Sequence, residues 1–290
     1  MASYSGTKIN PSKLHISQWK FFIILIPIAI FMVLPIVYII NHAFKPLEEL
    51  FLWPPRFFVK NPTLSNFREL FAQTSRTGVP MSRYIFNSVV ITLILVVLSI
   101  ILSSMAGYAL SKLKFKIKAP LLFLNNLALM FVGSSVVIPR YLVIEKLGLI
   151  DNFLVYILPA IAMPVGLFLI KQFIDQIPND LIEAAKIDGA SDLRIYWSIV
   201  MPLIKPAIAT IAIVAFQAAW NDSSISSTYI NDESLKNFAF YMTTLTSATN
   251  SVSGQGMAAA ASLIMFLPNL IIFIFLQRNV MNTMSHSGIK

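Results

Sequence analysis

Residues 177–202 open with Ile177-Pro178-Asn179-Asp180 and continue through Glu183-Ala184-Ala185 to Gly189. They close on Ile199-Val200-Met201-Pro202. This short polar island lies between two long apolar stretches. A loop between membrane spans is usually featureless, whereas this one predicts two short capped helices. Asp180 with Glu183 three residues later fits a capping box, and the acids favour the positive helix N-terminus. The first helix is expected from Leu181 to about Asp188, ending at Gly189, which tolerates the left-handed C-terminal conformation. Ser191 is a candidate cap for a second helix from Asp192 to about Val200, which Pro202 is expected to stop.

The chain outside the island is a membrane protein. Of 290 residues, 57% are hydrophobic and 12% charged. Mean hydropathy is +0.73. A soluble domain carries about 25% charged residues, so too little charge is present to cover a water-facing surface. There is no cysteine, which excludes disulfides and thiolate chemistry. The net charge of +9 fits Lys and Arg held at a cytoplasmic membrane face better than a nucleic-acid surface.

A helix needs about 20 mostly apolar residues to cross the hydrocarbon core. Six stretches are expected to do so: 21–41, 84–110, 120–138, 153–172, 206–226 and 256–277. The first follows Lys8, Lys13 and Lys20 but is too long for a cleavable signal segment, so it reads as an uncleaved span. Lys112, Lys114, Lys116 and Lys118 crowd one tight connection, which marks that loop as cytoplasmic. With six spans, both termini and the Glu183 loop then share the cytoplasmic side. The expected organisation is a tail over 1–20, a six-helix domain over 21–277 with the loop 173–205 inside it, and a tail over 278–290.

The island reads as a docking device. Leu181, Ala184, Ala185 and Ile187 give a small, shallow apolar surface, to which Glu183, Lys186 and Asp188 bring charge. Two consecutive alanines let a partner backbone approach closely, which suits a helix seated in a groove. A helix resting on lipid head groups would show bulkier apolar residues opposite Lys and Arg.

The pattern Glu183-Ala184-Ala185, Gly189, Ile199 and Pro202 resembles the EAA loop of permease subunits from bacterial ABC importers, with Met201 where that pattern has Leu. The chain is similar to the carbohydrate-type branch of that family over about residues 20–290. Other matches are Asn87-Ser88, the run 106–112 ending Ser111-Lys112, Pro139-Arg140-Tyr141, Leu147-Gly148-Leu149, Trp220-Asn221-Asp222 and Gln277-Arg278. The short C-terminal end Ser287-Gly288-Ile289-Lys290 also corresponds. The resemblance implies an all-α integral membrane protein of the MetI-like permease fold in the bacterial cell membrane. It implies a heterodimer with a second permease, two ATPase subunits and an extracellular solute-binding protein. It also makes Asp180, Glu183, Ala184, Ala185, Asp188, Gly189, Ile199 and Pro202 the ATPase-coupling residues. The implied function is import of a sugar, with an oligosaccharide expected, by alternating access. The alternatives are a non-sugar solute such as a peptide, or a secondary carrier.

The chain itself offers no machinery for catalysis. None of its 10 glycines stands in a phosphate-cradling Gly-x4-Gly-Lys-Ser/Thr frame. No cofactor is therefore expected on it, ATP and Mg belonging to the partner ATPases. His15, His42 and His286 fall in different segments and do not form a metal site. Cap and surface roles account for Asp175, Asp180, Glu183, Asp188 and Asp192, so no enzyme is expected. The absence of paired acids at membrane depth weighs against a proton-coupled carrier.

Polar residues at membrane depth are the pathway candidates: Asn87, Ser88, Asn125, Asn126, Gln217 and Asn221. Helix–helix hydrogen bonding is the plainer role for most of them. Gln217, Trp220 and Asn221 are favoured for cargo, since a ring beside amides suits a sugar's apolar face and hydroxyls. Ser103, Ser104, Ala106, Gly107 and the run 258–262 should let helices approach closely. Pro139, Pro159, Pro164 and Pro268 permit kinks.

Overall fold

The computed structural model describes residues 19–72, 78–131, 133–248 and 252–287. The expected tail residues Lys8 and Lys13, and the end Gly288-Ile289-Lys290, lie outside them. Among the described residues helices are the regular elements, joined by loops. In order the helices are α1 (Trp19–Phe44), α2 (Leu47–Leu50), α3 (Ser65–Ala72), α4 (Met81–Lys112), α5 (Lys118–Met130), α6 (Val137–Lys146) and α7 (Pro164–Asp175). They continue with α8 (Asn179–Ile187), α9 (Asp192–Ile195), α10 (Met201–Leu203), α11 (Lys205–Trp220), α12 (Ser224–Tyr229), α13 (Phe238–Ala248) and α14 (Val252–Ser287).

Three of these, α1, α4 and residues Gly254–Gln277 of α14, are long and apolar enough to cross a membrane, with mean hydropathies of 3.0, 2.9 and 2.4. Two broken pairs raise the number to 5 when each is one span: α5 with the segment Gly133–Lys146, and Asp192–Leu203 with α11. The fourth expected stretch differs most from its reading. It starts in a 3-10 turn, Phe153–Tyr156, and becomes α-helix only at Pro164. The resulting 12-residue helix reaches about 18 Å, short of a hydrocarbon core of about 30 Å. Pro159 and Pro164 explain the break, because each lacks an amide proton and Pro164 is suited only to a first helical turn.

The chain forms two compact units. One comprises residues 1–70 and 248–263. Within it Asn66 donates to the carbonyls of Ala43 and Lys45 at 3.0 and 2.8 Å, fastening α3 to the end of α1. A Cβ added at Gly256 would meet Asn66 Oδ1 at 2.5 Å. Ala260 and Ala261 are fully buried, as expected for a small-residue face that admits a close neighbour.

The other unit comprises residues 71–247 and 264–290. Its spine is α4, packed along α7 and α11. At Gly107 an added Cβ would stand 2.7 Å from Ile170 Cγ2, so glycine sets how closely α4 and α7 approach. Gly166 does the same opposite Ser103, whose Oγ would lie 3.2 Å from an added Cβ. Two apolar clusters line the spine. One gathers Ile91, Leu95, Val155, Tyr156, Ala219 and Tyr229. The second gathers Tyr108, Ile170, Ile174, Ile182, Tyr196 and Ile204, and the polar island is built on it.

Candidate docking site and pathway

The first helix of the island begins two residues earlier than its sequence suggests. Pro178, with φ −56°, precedes Asn179, the first residue of α8, and no side chain caps the helix. The expected capping box of Asp180 and Glu183 is thus not formed: Asp180 is a first-turn residue, two positions past the cap. Its charge still complements the helix dipole there. Asp180 and Glu183 are both exposed.

The other end follows its expectation. Gly189 has φ +78° and donates to the Lys186 carbonyl at 3.0 Å, while Ala190 donates to the Ala185 carbonyl at 2.9 Å. This pair of bonds is a Schellman closure, which needs a left-handed residue at Gly189. Ser191 Oγ accepts from the Arg194 amide at 3.3 Å and caps α9. Lys186 and Asp192, both about half exposed, pair at 3.0 Å across the turn. A pair that open to water contributes at most about 1 kcal/mol.

Pro202 does not stop the second helix. Residues Tyr196–Val200 form a π-turn, with the Met201 amide bonding to the Tyr196 carbonyl, and the helix runs on to Leu203. A proline ring crowds the carbonyl four residues back and offers no amide, and the wider turn accommodates both defects. The direction changes at Ile204, where Asp192–Leu203 meets α11 at 81°. The second helix therefore lies across the axis of the apolar helix that follows it.

Burial divides the island into an anchored and an open side. Ile182 is buried against Ile174, Ile195 and Ile204, and Ala185 and Ile199 pack beside them. Glu183, Ala184, Asp188, Gly189 and Pro202 are exposed. So are Leu181, Leu193 and Trp197, and Ile187 is 86% exposed. The open face is bulkier than the shallow alanine surface expected, because Leu193 and Trp197 join it from the second helix.

What holds the island is the end of α4. Lys112 Nζ donates to the Ile177 carbonyl at 2.5 Å and to Asn179 Oδ1 at 2.9 Å. The Tyr108 hydroxyl reaches Asp192 Oδ1 at 3.3 Å. Ser104 Oγ and the Tyr196 hydroxyl share a buried hydrogen bond of 2.6 Å. Ser104, Tyr108 and Lys112 recur every four residues and so share one helix face. In sequence this stretch is a motif and a small-residue face; its grip on the island has no local signal except that spacing.

The pathway candidates separate. Trp220 is buried, stacks on Phe216 and donates from Nε1 to the Met265 carbonyl at 3.0 Å. It joins α11 to α14. Asn221 pairs with Asn269 of α14 at 3.2 Å. Asn87 donates to the carbonyls of Ser234 and Lys236, both at 2.8 Å, and Ser88 Oγ accepts from the Phe238 amide at 2.8 Å. Asn125 reaches the Pro164 carbonyl at 3.4 Å. Gln217 and Asn126 have exposed side chains.

A cavity of about 370 Å³ opens beside these residues, lined by none of Gln217, Trp220, Asn221 and Asn126. Its polar lining includes Arg140, Tyr156, Asp222, Ser224 and Asn237, set among Ile91, Leu95 and Ala215. Tyr156 and Ser226 hydroxyls lie 2.6 Å apart, and Ser226 donates to Asn237 Oδ1 at 2.9 Å. Asn237 Nδ2 donates to the Asp222 carbonyl at 2.5 Å. This chain of bonds fixes one wall. Arg140 makes no ion pair among the described residues. Arg140 and Asp222 lie inside the sequence motifs Pro139-Arg140-Tyr141 and Trp220-Asn221-Asp222, and an ionisable group beside a span is the local signal for a pathway. No group of three or more metal-ligating side chains occurs among the described residues.

The fold and site together define an all-helical membrane chain with a helical island braced from one span and turned across the next. The chain belongs to the family of binding-protein-dependent transport system inner membrane components, whose model matches residues 21–281. It is therefore a non-catalytic, membrane-spanning ABC transport permease of the bacterial inner membrane. Among curated proteins it is 32% identical over 270 residues to protein LplC of Bacillus subtilis (strain 168), covering 89% of each chain. The galactooligosaccharides transport system permease protein GanQ of the same strain is 30% identical, with 93% of this chain and 94% of that protein covered. The polygalacturonan/rhamnogalacturonan transport system permease protein YtcP, also of that strain, is 30% identical over 88% of this chain and 91% of its own length. A solved bacterial ABC transporter involved in the import of the acidic polysaccharide alginate shares the fold. Its TM-score is 0.78 at 23% identity, covering 92% of this chain and 98% of the solved one.

Proposed function

We propose that this chain is one of two permeases of an importer for an oligosaccharide, completed by two ATPase subunits and an external binding protein. ATP and Mg act on the ATPase subunits. The names of GanQ, a galactooligosaccharides permease, and YtcP, a polygalacturonan/rhamnogalacturonan permease, support the cargo class. Six crossings, the fourth made jointly by the segment from Phe153 and by α7, with both termini and the island in the cytoplasm complete the topology, which the lysine-rich 112–118 loop favours.

The observation that carries the mechanism is the fastening of the island to α4, together with the 81° turn into α11. Seated in a groove of the ATPase, α8 is moved when the ATPases close on nucleotide. Because Ile182 and the α4 hydrogen bonds resist local slippage, the displacement passes to the apolar helices, and the cavity beside Arg140 and Asp222 changes its access. Asp180, Glu183, Ala184, Ala185, Asp188 and Gly189 act at or beside the docked helix. Ile199 and Pro202 shape the segment that leads into α11. Gln217 and Asn126 are pathway contacts by exposure; Asn221 and Trp220 position α11 against α14.

Co-purification tests this reading. Ile187→Glu adds charge at an almost fully exposed position, so the chain should reach the membrane in normal amount. The ATPase subunits should no longer co-purify, and labelled oligosaccharide uptake should fall to background. Retained ATPase with normal uptake would refute docking through this face.

A further inference from the structure

The segment between α1 and α3 presents large apolar side chains to the outside while its backbone is fixed from within. Trp53 is 90% exposed, Phe58 68% and Phe51 62%; Leu52 and Phe57 are also exposed. Such a cluster in a free loop would collapse onto itself or onto the protein. Here it is held open. The Lys45 side chain is buried and donates from Nζ to the Arg56 carbonyl at 2.5 Å. Glu49 accepts from the amides of Lys60 and Asn61 at 3.0 and 2.8 Å. Asn41 Oδ1 accepts from the Val59 amide at 3.0 Å, and the Thr63 amide donates to the Phe44 carbonyl at 2.8 Å. These bonds clamp the returning leg of the loop to the end of α1 and to the Lys45–Glu49 segment that follows it.

The loop also folds back along that helix. Phe57 packs on Tyr38 with ring centroids 5.8 Å apart, and on Phe58 at 5.0 Å. Tyr38 stands six residues before the helix end at Phe44, about 9 Å along the axis. The 26 residues of α1 span about 39 Å, more than a hydrocarbon core of about 30 Å. Its final turns therefore stand among lipid head groups, and the aromatic tip lies beside them. The apolar window of α1 has no buried residue, so the tip continues a surface already turned to lipid. Exposed Arg56 and Lys60 flank it and match phosphate charge, while Trp, Tyr and Phe are the rings suited to this depth.

We infer that residues 51–58 form an interfacial foot, inserted at the boundary between head groups and acyl chains, which fixes the height and tilt of α1 in the bilayer. The inference requires only that α1 crosses a membrane, and is independent of the cargo or the docked ATPase.

Nitroxide labelling tests it in the assembled transporter in phospholipid nanodiscs. This chain has no cysteine, so Trp53→Cys and, separately, Phe58→Cys each give one label on it; the uncut wild-type assembly supplies the background from other subunits. Collision rates with oxygen and with a water-soluble nickel chelate are compared. The foot predicts that oxygen exceeds the chelate several-fold at both positions. Chelate in excess would put the tip in water and overturn the inference. Low rates for both reagents would mean that a polypeptide covers the tip, which also overturns it. Where Trp53→Cys fails to assemble, Phe58→Cys alone decides.

Discussion

Gly189 and Gly107 are both glycines for physical reasons, and the reasons differ. At Gly189 the backbone is left-handed, yet no atom lies within 4 Å of an added Cβ. A side chain there costs about 1–2 kcal/mol in backbone strain and meets no obstacle within the chain. Gly189→Asn, which tolerates this region, should retain more substrate-stimulated ATPase and uptake than Gly189→Ala. Gly189→Asp should leave the chain in the membrane yet uncouple ATP hydrolysis from transport, by adding charge where α8 meets its partner. Unchanged uptake in Gly189→Asp would contradict the docking role. At Gly107 the backbone is ordinary helix and space is missing. Gly107→Val should lower thermal stability in detergent by about 1–3 kcal/mol through overpacking against Ile170. Adding Ile170→Ala should restore part of the loss, whereas no rescue would argue against a packing cause.

At the scale of elements, what matters is how helices and loops are tied together. Lys112 holds both Ile177 and Asn179, so Lys112→Met should loosen the start of α8 at a cost of about 1–3 kcal/mol. The measurable result is faster proteolysis within 177–202 and weaker transport, with α4 still inserted; an unaltered cleavage rate would show that Ile182 alone secures the island. The clamp at Glu49 carries a pH dependence. Its carboxylate is held below the ordinary range, chiefly by the Lys60 amide and further by the Asn61 amide and nearby Lys45 and Arg56. A depressed folded value means the stabilisation is complete above the unfolded carboxylate range and is lost as pH falls through the folded value. Protease sensitivity of 45–64 should rise on acidification from neutral pH, and Glu49→Gln should be sensitive already at neutral pH.

For the whole molecule, much of the architecture was legible because it rests on local composition. Apolar length marks α1, α4 and α14 directly, and a Gly at a helix end predicts its closure without knowledge of neighbours. The fourth stretch is not one continuous helix, a break invisible to hydropathy, which averages over Pro159 and Pro164 and their single missing amide protons. The capping box is absent for a similar reason: with Pro178 at the cap position the helix starts two residues early, and a cap tolerates no shift at all. Trp220 was favoured for cargo on its ring, yet its indole proton is committed to Met265, 45 positions away.

Sequence alone determined that this chain lives in a bilayer, that it presents a helical island between spans, and which family that island marks. Each depends on residue type and short spacing, which survive without the fold. Tertiary structure decided that Ser104, Tyr108 and Lys112 grip the island, that Ile182 is its buried side, and that Arg140 and Asp222 line one cavity. Those facts arise from pairing residues up to 92 positions apart. No local pattern encodes such meetings, because they exist only once α4, α7 and α11 have packed.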